Sequence, residues 1–233
     1  MKPELIVALD VPDWRRATKL IDRLIGDIRY FKVGSQLFTL CGPRIVRYIR
    51  ARGGEVFLDL KYHDIPNTVA NAVRAAAELG VAMLTVHAQG GREMLRAAVS
   101  AAKAPRRERR PLRVLAVTVL TSQASADTDK EVVRRARLAR EAGCHGVVAS
   151  ALECGRLRQM LGDRCIIVTP GIRPSGADAG DQKRVATVSE AVRAGSDYLV
   201  VGRPIVEAAD PVREARAMAN ELSQAHKRRK YPR

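Results

Sequence analysis

The sequence predicts an α/β fold of the (β/α)8 TIM-barrel type, and three observations carry that expectation. Short apolar runs alternate with helical stretches eight times along 233 residues, each helix long enough to return the chain to a parallel neighbour. The first three apolar runs carry charges at their C-terminal ends: Asp10, Lys32, and then Asp59 with Lys61. Two late stretches, Thr169 to Pro174 (TPGIRP) and Val201 to Ile205 (VGRPI), join a Gly to an Arg after the seventh and eighth runs. Barrels of this type place phosphate there. A doubly wound open sheet gives a similar alternation, but no GxGxxG fingerprint follows the first strand.

The elements follow in order. Leu5 to Leu9 reads as a strand ending at Asp10, and Trp14 to Ile25 as a helix capped by Asp13. Tyr30 to Gly34 (YFKVG) is the second strand, and Gln36 to Arg50 an amphipathic helix stopped by Gly53 and Gly54. Residues 55 to 61 form the third strand. Pro66 suits a first helical turn, which makes Tyr62 to Ile65 a loop and leads to a helix over Thr68 to Leu79. Met83 to His87 is the fourth strand, followed by a helix over Arg92 to Ala102. The longest apolar run, Leu112 to Leu120, holds the fifth. Helices over Lys130 to Glu141 and Leu152 to Leu161 flank a strand at Gly146 to Ala149. Cys165 to Thr169 is the seventh strand, and Tyr198 to Val201 the eighth. Helices near Gln182 to Arg193 and from Ile205 complete the pattern.

No linker or shift in composition divides the chain, so residues 1–233 read as one domain with a basic tail from about 224 to 233. The five-residue apolar run at the N-terminus is short for a signal segment, and no run approaches the ~20 residues that span a bilayer. A cytoplasmic protein is expected. Its four cysteines are scattered without CxxC pairs and read as free thiols. Lys and Arg number 41 against 25 acidic residues, a net charge of +16 that favours encounter with anions. The basic runs Arg106 to Arg113 and His226 to Arg233 lack interleaved aromatics and read as solvated surface rather than a nucleic-acid site. His63, His87, His145 and His226 show no ligand spacing, so no metal is expected.

Strand parity sharpens the picture. Phe57, Asp59 and Lys61 share one face of their strand while Val56, Leu58 and Leu60 share the other. Asp10 shares a face with Ile6 and Ala8, and Lys32 with Tyr30 and Gly34. All four charges then converge inside the barrel mouth. A strand frayed into solvent gives the same letters, with an ion pair worth about 0–1 kcal/mol. Burying unpaired charge costs several kcal/mol, so an inward cluster marks a site.

These residues resemble a known family. Asp59 to Thr68 (DLKYHDIPNT) is similar to the DxKxxDIPNT signature of orotidine 5′-phosphate decarboxylases. IVALD, FKVG, TPGIRP, GDQ at Gly180 to Gln182, and VGRPI recur in the family's order from Ile6 to Ile205. DxKxxD alone is shared with metal-dependent sugar-phosphate decarboxylases and aldolases; the other segments are more specific. The resemblance implies cofactor-free loss of CO2 from orotidine 5′-phosphate, giving UMP in pyrimidine biosynthesis. It assigns Lys61 as proton donor to C6 and places Asp59 against the substrate carboxylate. Lys32, Asp59, Lys61 and Asp64 form an alternating ion array in this reading, with Asp64, Ile65 and Thr68 supplied by a second subunit of a homodimer. Asp10 and Lys32 hold ribose hydroxyls, and Thr121 touches the pyrimidine. Arg173, Gln182, Gly202 and Arg203 hold the phosphate. The alternatives are a magnesium-dependent enzyme on the same strand, or a basic RNA-binding barrel without catalysis.

Overall fold

A computed structural model describes residues 2–103, 111–119, 128–174 and 185–230. Eight parallel strands close into a barrel in chain order, β1(Glu4–Ala8), β2(Tyr30–Gly34), β3(Glu55–Tyr62), β4(Met83–His87), β5(Arg113–Val117), β6(Gly146–Val148), β7(Ile166–Thr169) and β8(Tyr198–Val201). Closure runs from Glu4 opposite Tyr198 to Val7 opposite Val201. The described helices are α1(Trp14–Leu24), α2(Ser35–Cys41), α3(Pro43–Ala51), α4(Pro66–Glu78), α5(Gly91–Ala102), α6(Thr128–Glu141), α7(Ala151–Leu161), α8(Val188–Ala194), α9(Arg203–Val206) and α10(Pro211–Lys230).

Parity divides the apolar residues into two sets. Val7, Phe31, Val33, Val56, Leu58, Leu84, Val114, Val147, Ile167 and Leu199 face outward and are sealed under the helices. Each such side chain contributes about 1.5–3 kcal/mol by leaving water. Ile6, Ala8, Tyr30, Phe57, Met83, Leu115, Val168, Tyr198 and Val200 form a separate cluster inside the barrel. The interior is therefore a filled core on which the mouth residues stand.

Local signals explain most boundaries. Asp13 caps α1 by accepting the Arg16 N–H at 2.8 Å. Pro66 opens α4, two residues before the expected start, because a proline tolerates the first turn. The helix expected over Gln36 to Arg50 is two helices: Gly42 turns the chain at φ +53°, and Pro43 begins α3. The stretch from Ile205 is likewise divided, into α9 and α10. Residues 224–230, read as the start of a basic tail, continue α10. Among the described residues no helix is long and apolar enough to cross a membrane.

Candidate active site

A cavity of about 450 Å³ opens at the C-terminal end of the barrel, lined by Asp10, Lys32, Asp59 and Lys61 on one side. Gly171, Arg173, Gly202 and Arg203 line it as well. Since β3 and β7 are half a turn apart in an eight-stranded barrel, Arg173 stands across the cavity from Asp59.

The four charges alternate in sign along an unbroken line. Lys32 Nζ donates to Asp10 Oδ1 at 2.8 Å and lies 3.8 Å from Asp59 Oδ2. Lys61 Nζ donates to the same Asp59 Oδ2 at 2.9 Å. One carboxylate oxygen thus sits between two ammonium groups. Asp59 and Lys32 are largely withdrawn from water, with side-chain exposures of 14% and 11%, whereas Lys61 reaches further into the cavity. Removing either partner of such a pair leaves an uncompensated charge in a poorly solvated place.

The backbone under this line is irregular. Phe57 pairs with Met83 and Leu58 with Leu84, but the next match is Tyr62 with Val86. Asp59, Leu60 and Lys61 therefore face the single residue Thr85. This bulge lets Asp59 and Lys61 both enter the cavity. Lys61 is the only non-glycine among the described residues with positive φ, at +49°. A branchless glycine would adopt that conformation freely, while for lysine it costs about 1–3 kcal/mol.

Two residues that carried no functional expectation hold the arrangement. Thr85, fully buried, donates to Asp59 Oδ1 at 2.9 Å and accepts the Lys61 N–H at 2.8 Å. Parity would have revealed it, because Thr85 follows Met83 on the inner face of β4. Gly34 is the other: a Cβ there would meet Asp10 Oδ1 and Lys32 Nζ, each at 3.1 Å. A side chain there would push both ends of that ion pair aside by a few tenths of an ångström.

Asp64 does not join the line within its own chain. It lies on the exposed loop after β3, and its carboxylate accepts the Ile65 N–H at 2.6 Å. Ile65 is 66% exposed, and Thr68 is exposed on the first turn of α4. Thr121 and Gln182 lie outside the described residues.

The anion end rests on arginines and glycines. Gly171 holds φ +79°, which brings its backbone to the cavity wall, and Arg173 is buried beside it with Nη1 donating to the Ile172 carbonyl at 3.1 Å. Arg203 opens α9, which has four residues, too few to contribute a helix dipole. Its charge and fork of donors remain.

Other reactive groups are poorly placed for chemistry. Burial pushes the Cys144 thiol up to about 12 and the Cys154 thiol up to about 11, which suppresses the thiolate form. His63 stacks on His87 with ring centroids 5.3 Å apart, and burial, followed by the neighbouring His63, lowers the His87 pKa. Among the described residues no group of three or more His, Cys, Asp or Glu side chains is arranged to hold a metal ion.

The chain is similar over most of its length to known proteins. The model of the orotidine 5′-phosphate decarboxylase / HUMPS family matches residues 3–218. The orotidine 5′-phosphate decarboxylase of Moorella thermoacetica is 51% identical over 233 residues, covering 95% of this chain and 92% of the relative. That of Shewanella sediminis is 50% identical, covering 94% and 97%. The crystal structure of orotidine 5′-phosphate decarboxylase from Lactobacillus acidophilus superposes with a TM-score of 0.84 at 36% identity, covering 95% of this chain and 99% of that one.

Proposed function

The chain belongs to the orotidine 5′-phosphate decarboxylase / HUMPS family and is a carboxy-lyase; from that premise we propose that it converts orotidine 5′-phosphate to UMP and CO2 without a cofactor, with Lys61 protonating C6. The observation that carries this reading is Asp59 Oδ2 held between Lys32 and Lys61 on the cavity wall facing Arg173. In the proposed step the bond between C6 and the carboxylate carbon breaks, and its electron pair stays on C6 as CO2 leaves. The Lys61 ammonium stabilises that developing charge and then transfers a proton to it; solvent later restores the proton. An interaction that strengthens as charge moves from carboxylate to C6 lowers the barrier, whereas one equal in both states lowers only KM.

Asp59 faces the departing carboxylate and keeps Lys61 aimed. Asp10 and Lys32 bind ribose hydroxyls in this reading, and Arg173, Gly202 and Arg203 hold the phosphate. A grip so far from C6 contributes by fixing the pyrimidine against Lys61. Asp64, Ile65 and Thr68 act in the neighbouring site of a homodimer, a role supported by their exposure and by the absence of Asp64 from its own cavity lining. The four free thiols suit a cytoplasmic enzyme.

Purified protein in excess EDTA is expected to consume the ultraviolet absorbance of orotidine 5′-phosphate. Turnover only after magnesium is added would instead support the metal-dependent branch of the family. For the shared site, Lys61→Ala and Asp64→Ala are each expected to be inactive, and mixing them should restore turnover through hybrid dimers. A mixture that remains dead while hybrids form would refute subunit sharing.

A further inference from the structure

The bulge in β3 sets three residues, Asp59, Leu60 and Lys61, against Thr85 alone. One hydroxyl reaches both ends of that bulge, and its direction is fixed by chemistry. The Lys61 N–H can only donate, so Thr85 Oγ1 accepts there, at 2.8 Å. The single hydroxyl proton is then free for Asp59 Oδ1, at 2.9 Å. With Oδ1 occupied, Oδ2 is the oxygen presented to Lys61 and Lys32. Thr85 is fully buried, away from the cavity lining, and its neighbours on β4 are apolar.

From this we infer that Thr85 is a positioning residue for decarboxylation: its hydroxyl locks Lys61 in its left-handed backbone conformation and orients the Asp59 carboxylate. The inference rests on the decarboxylase reading of the site. A strained residue persists only where its surroundings over-determine it, and the hydrogen bond to the Lys61 N–H is such a constraint. Without it the bulge can relax, and the Lys61 ammonium loses its aim at C6. The phosphate grip of Arg173, Gly202 and Arg203 and the Asp10–Lys32 pair lie outside the bulge, so the relaxation falls mainly on kcat.

Thr85→Val keeps the shape and deletes the hydroxyl, while Thr85→Ser keeps the hydroxyl and deletes a methyl. Thr85→Val is expected to lower kcat by about ten- to a hundredfold, the scale of a lost hydrogen bond to a charged carboxylate together with one from a backbone N–H, with KM near wild type. Thr85→Ser is expected to retain most of the wild-type kcat. A packing role gives the reverse order, with valine tolerated and serine impaired, and would overturn the inference; so would a loss confined to KM. Should Thr85→Val fail to fold, the pair Thr85→Ala and Thr85→Ser makes the same test, since both are small and differ in the hydroxyl alone; equal kcat in the two overturns the assignment. Wild-type enzyme assayed in parallel separates the two questions: an inactive wild type defeats the decarboxylase reading itself. Independent of substrate, a crystal structure of the valine or alanine variant is expected to show Lys61 away from φ +49° or Asp59 rotated, and an unchanged bulge would overturn the inference.

Discussion

The barrel carries charge at both ends, and the two ends use it differently. At the mouth, Asp10, Lys32, Asp59 and Lys61 stand 2.8–3.8 Å apart around an open cavity, on a bulged strand with a strained lysine. At the floor, Glu4, Arg29, Glu55 and Arg113 give the same count of cations and anions, and the ion pair Arg29–Glu55, at 3.6 Å, falls within the same range of distances. There the barrel is plugged by Tyr30 and Tyr198, packed edge to face with centroids 5.2 Å apart, and Arg113 donates to the Tyr198 hydroxyl at 2.7 Å. Burial outweighs the nearby arginines and raises the Glu4 pKa, and burial likewise raises that of Tyr30. Charges at a strand end are therefore insufficient to define a site. A bulged backbone and four charges aimed into one cavity distinguish the mouth.

The comparison predicts that mouth variants lose rate and floor variants lose stability. The largest effect is expected for Lys61→Ala: a fall in kcat of at least about 10²–10⁴-fold, the usual contribution of a placed proton donor. Its melting temperature should fall only modestly, because Asp59 keeps Lys32 and the Thr85 hydroxyl as partners. Lys61→Gly should be equally inactive but melt higher than the alanine variant, because glycine accepts positive φ without strain. An alanine variant as stable as the glycine one would show that the bulge stores no strain.

Tyr198→Ala at the floor should do the opposite. The side chain is 1% exposed inside the barrel, and its removal is expected to cost about 3–5 kcal/mol in denaturant unfolding. The folded fraction should keep the wild-type kcat. A large drop in kcat at full folding would mean that the two ends are coupled. Smaller again is Gly34→Ala, which tests the mouth without removing a charge. The new Cβ displaces the ends of two flexible side chains, Asp10 and Lys32, so folding should survive. Activity should fall about tenfold, equivalent to about 1.4 kcal/mol. The loss belongs in KM if Asp10 and Lys32 hold the ribose.

The asymmetry between the ends was only half legible in the sequence. Alternation of apolar residues located all eight strands, and parity brought Asp10, Lys32, Asp59 and Lys61 to one mouth, because side chains must alternate in any strand. The same parity applied at strand starts places Glu4, Glu55 and Arg113 on the inner face with Ile6, Phe57 and Leu115, but Arg113 reads as the end of a basic surface run. Thr85 passed as an ordinary strand residue, since threonine suits strands and the bulge that makes it matter depends on pairing between β3 and β4. Gly42-Pro43 carried a break signal that the amphipathic pattern on either side outweighed. Asp64 could be placed on a loop, but no pattern within the sequence says which site its carboxylate enters.

The smallest effect concerns protons at the floor end. His145 precedes β6 and accepts the Val114 N–H through Nδ1 at 3.1 Å, so the native ring needs that nitrogen unprotonated. Burial, followed by Lys103 and Arg113, lowers its pKa from the ordinary histidine value of about 6.5. With the folded pKa depressed, the unfolded chain binds the proton first as pH falls. The stabilisation from neutral His145 is complete above about pH 6.5 and is lost as pH descends through that value toward the folded pKa. His145→Gln should therefore flatten the pH dependence of the melting temperature below about pH 6.5 without changing the pH profile of kcat, because the floor lies at the far end of the barrel from Lys61. His87 also has a lowered pKa and lies beside the mouth, in reach of the Lys61 charge. If His87→Gln rather than His145→Gln alters the pH profile of kcat, the division between a structural floor and a chemical mouth extends to their titrating groups.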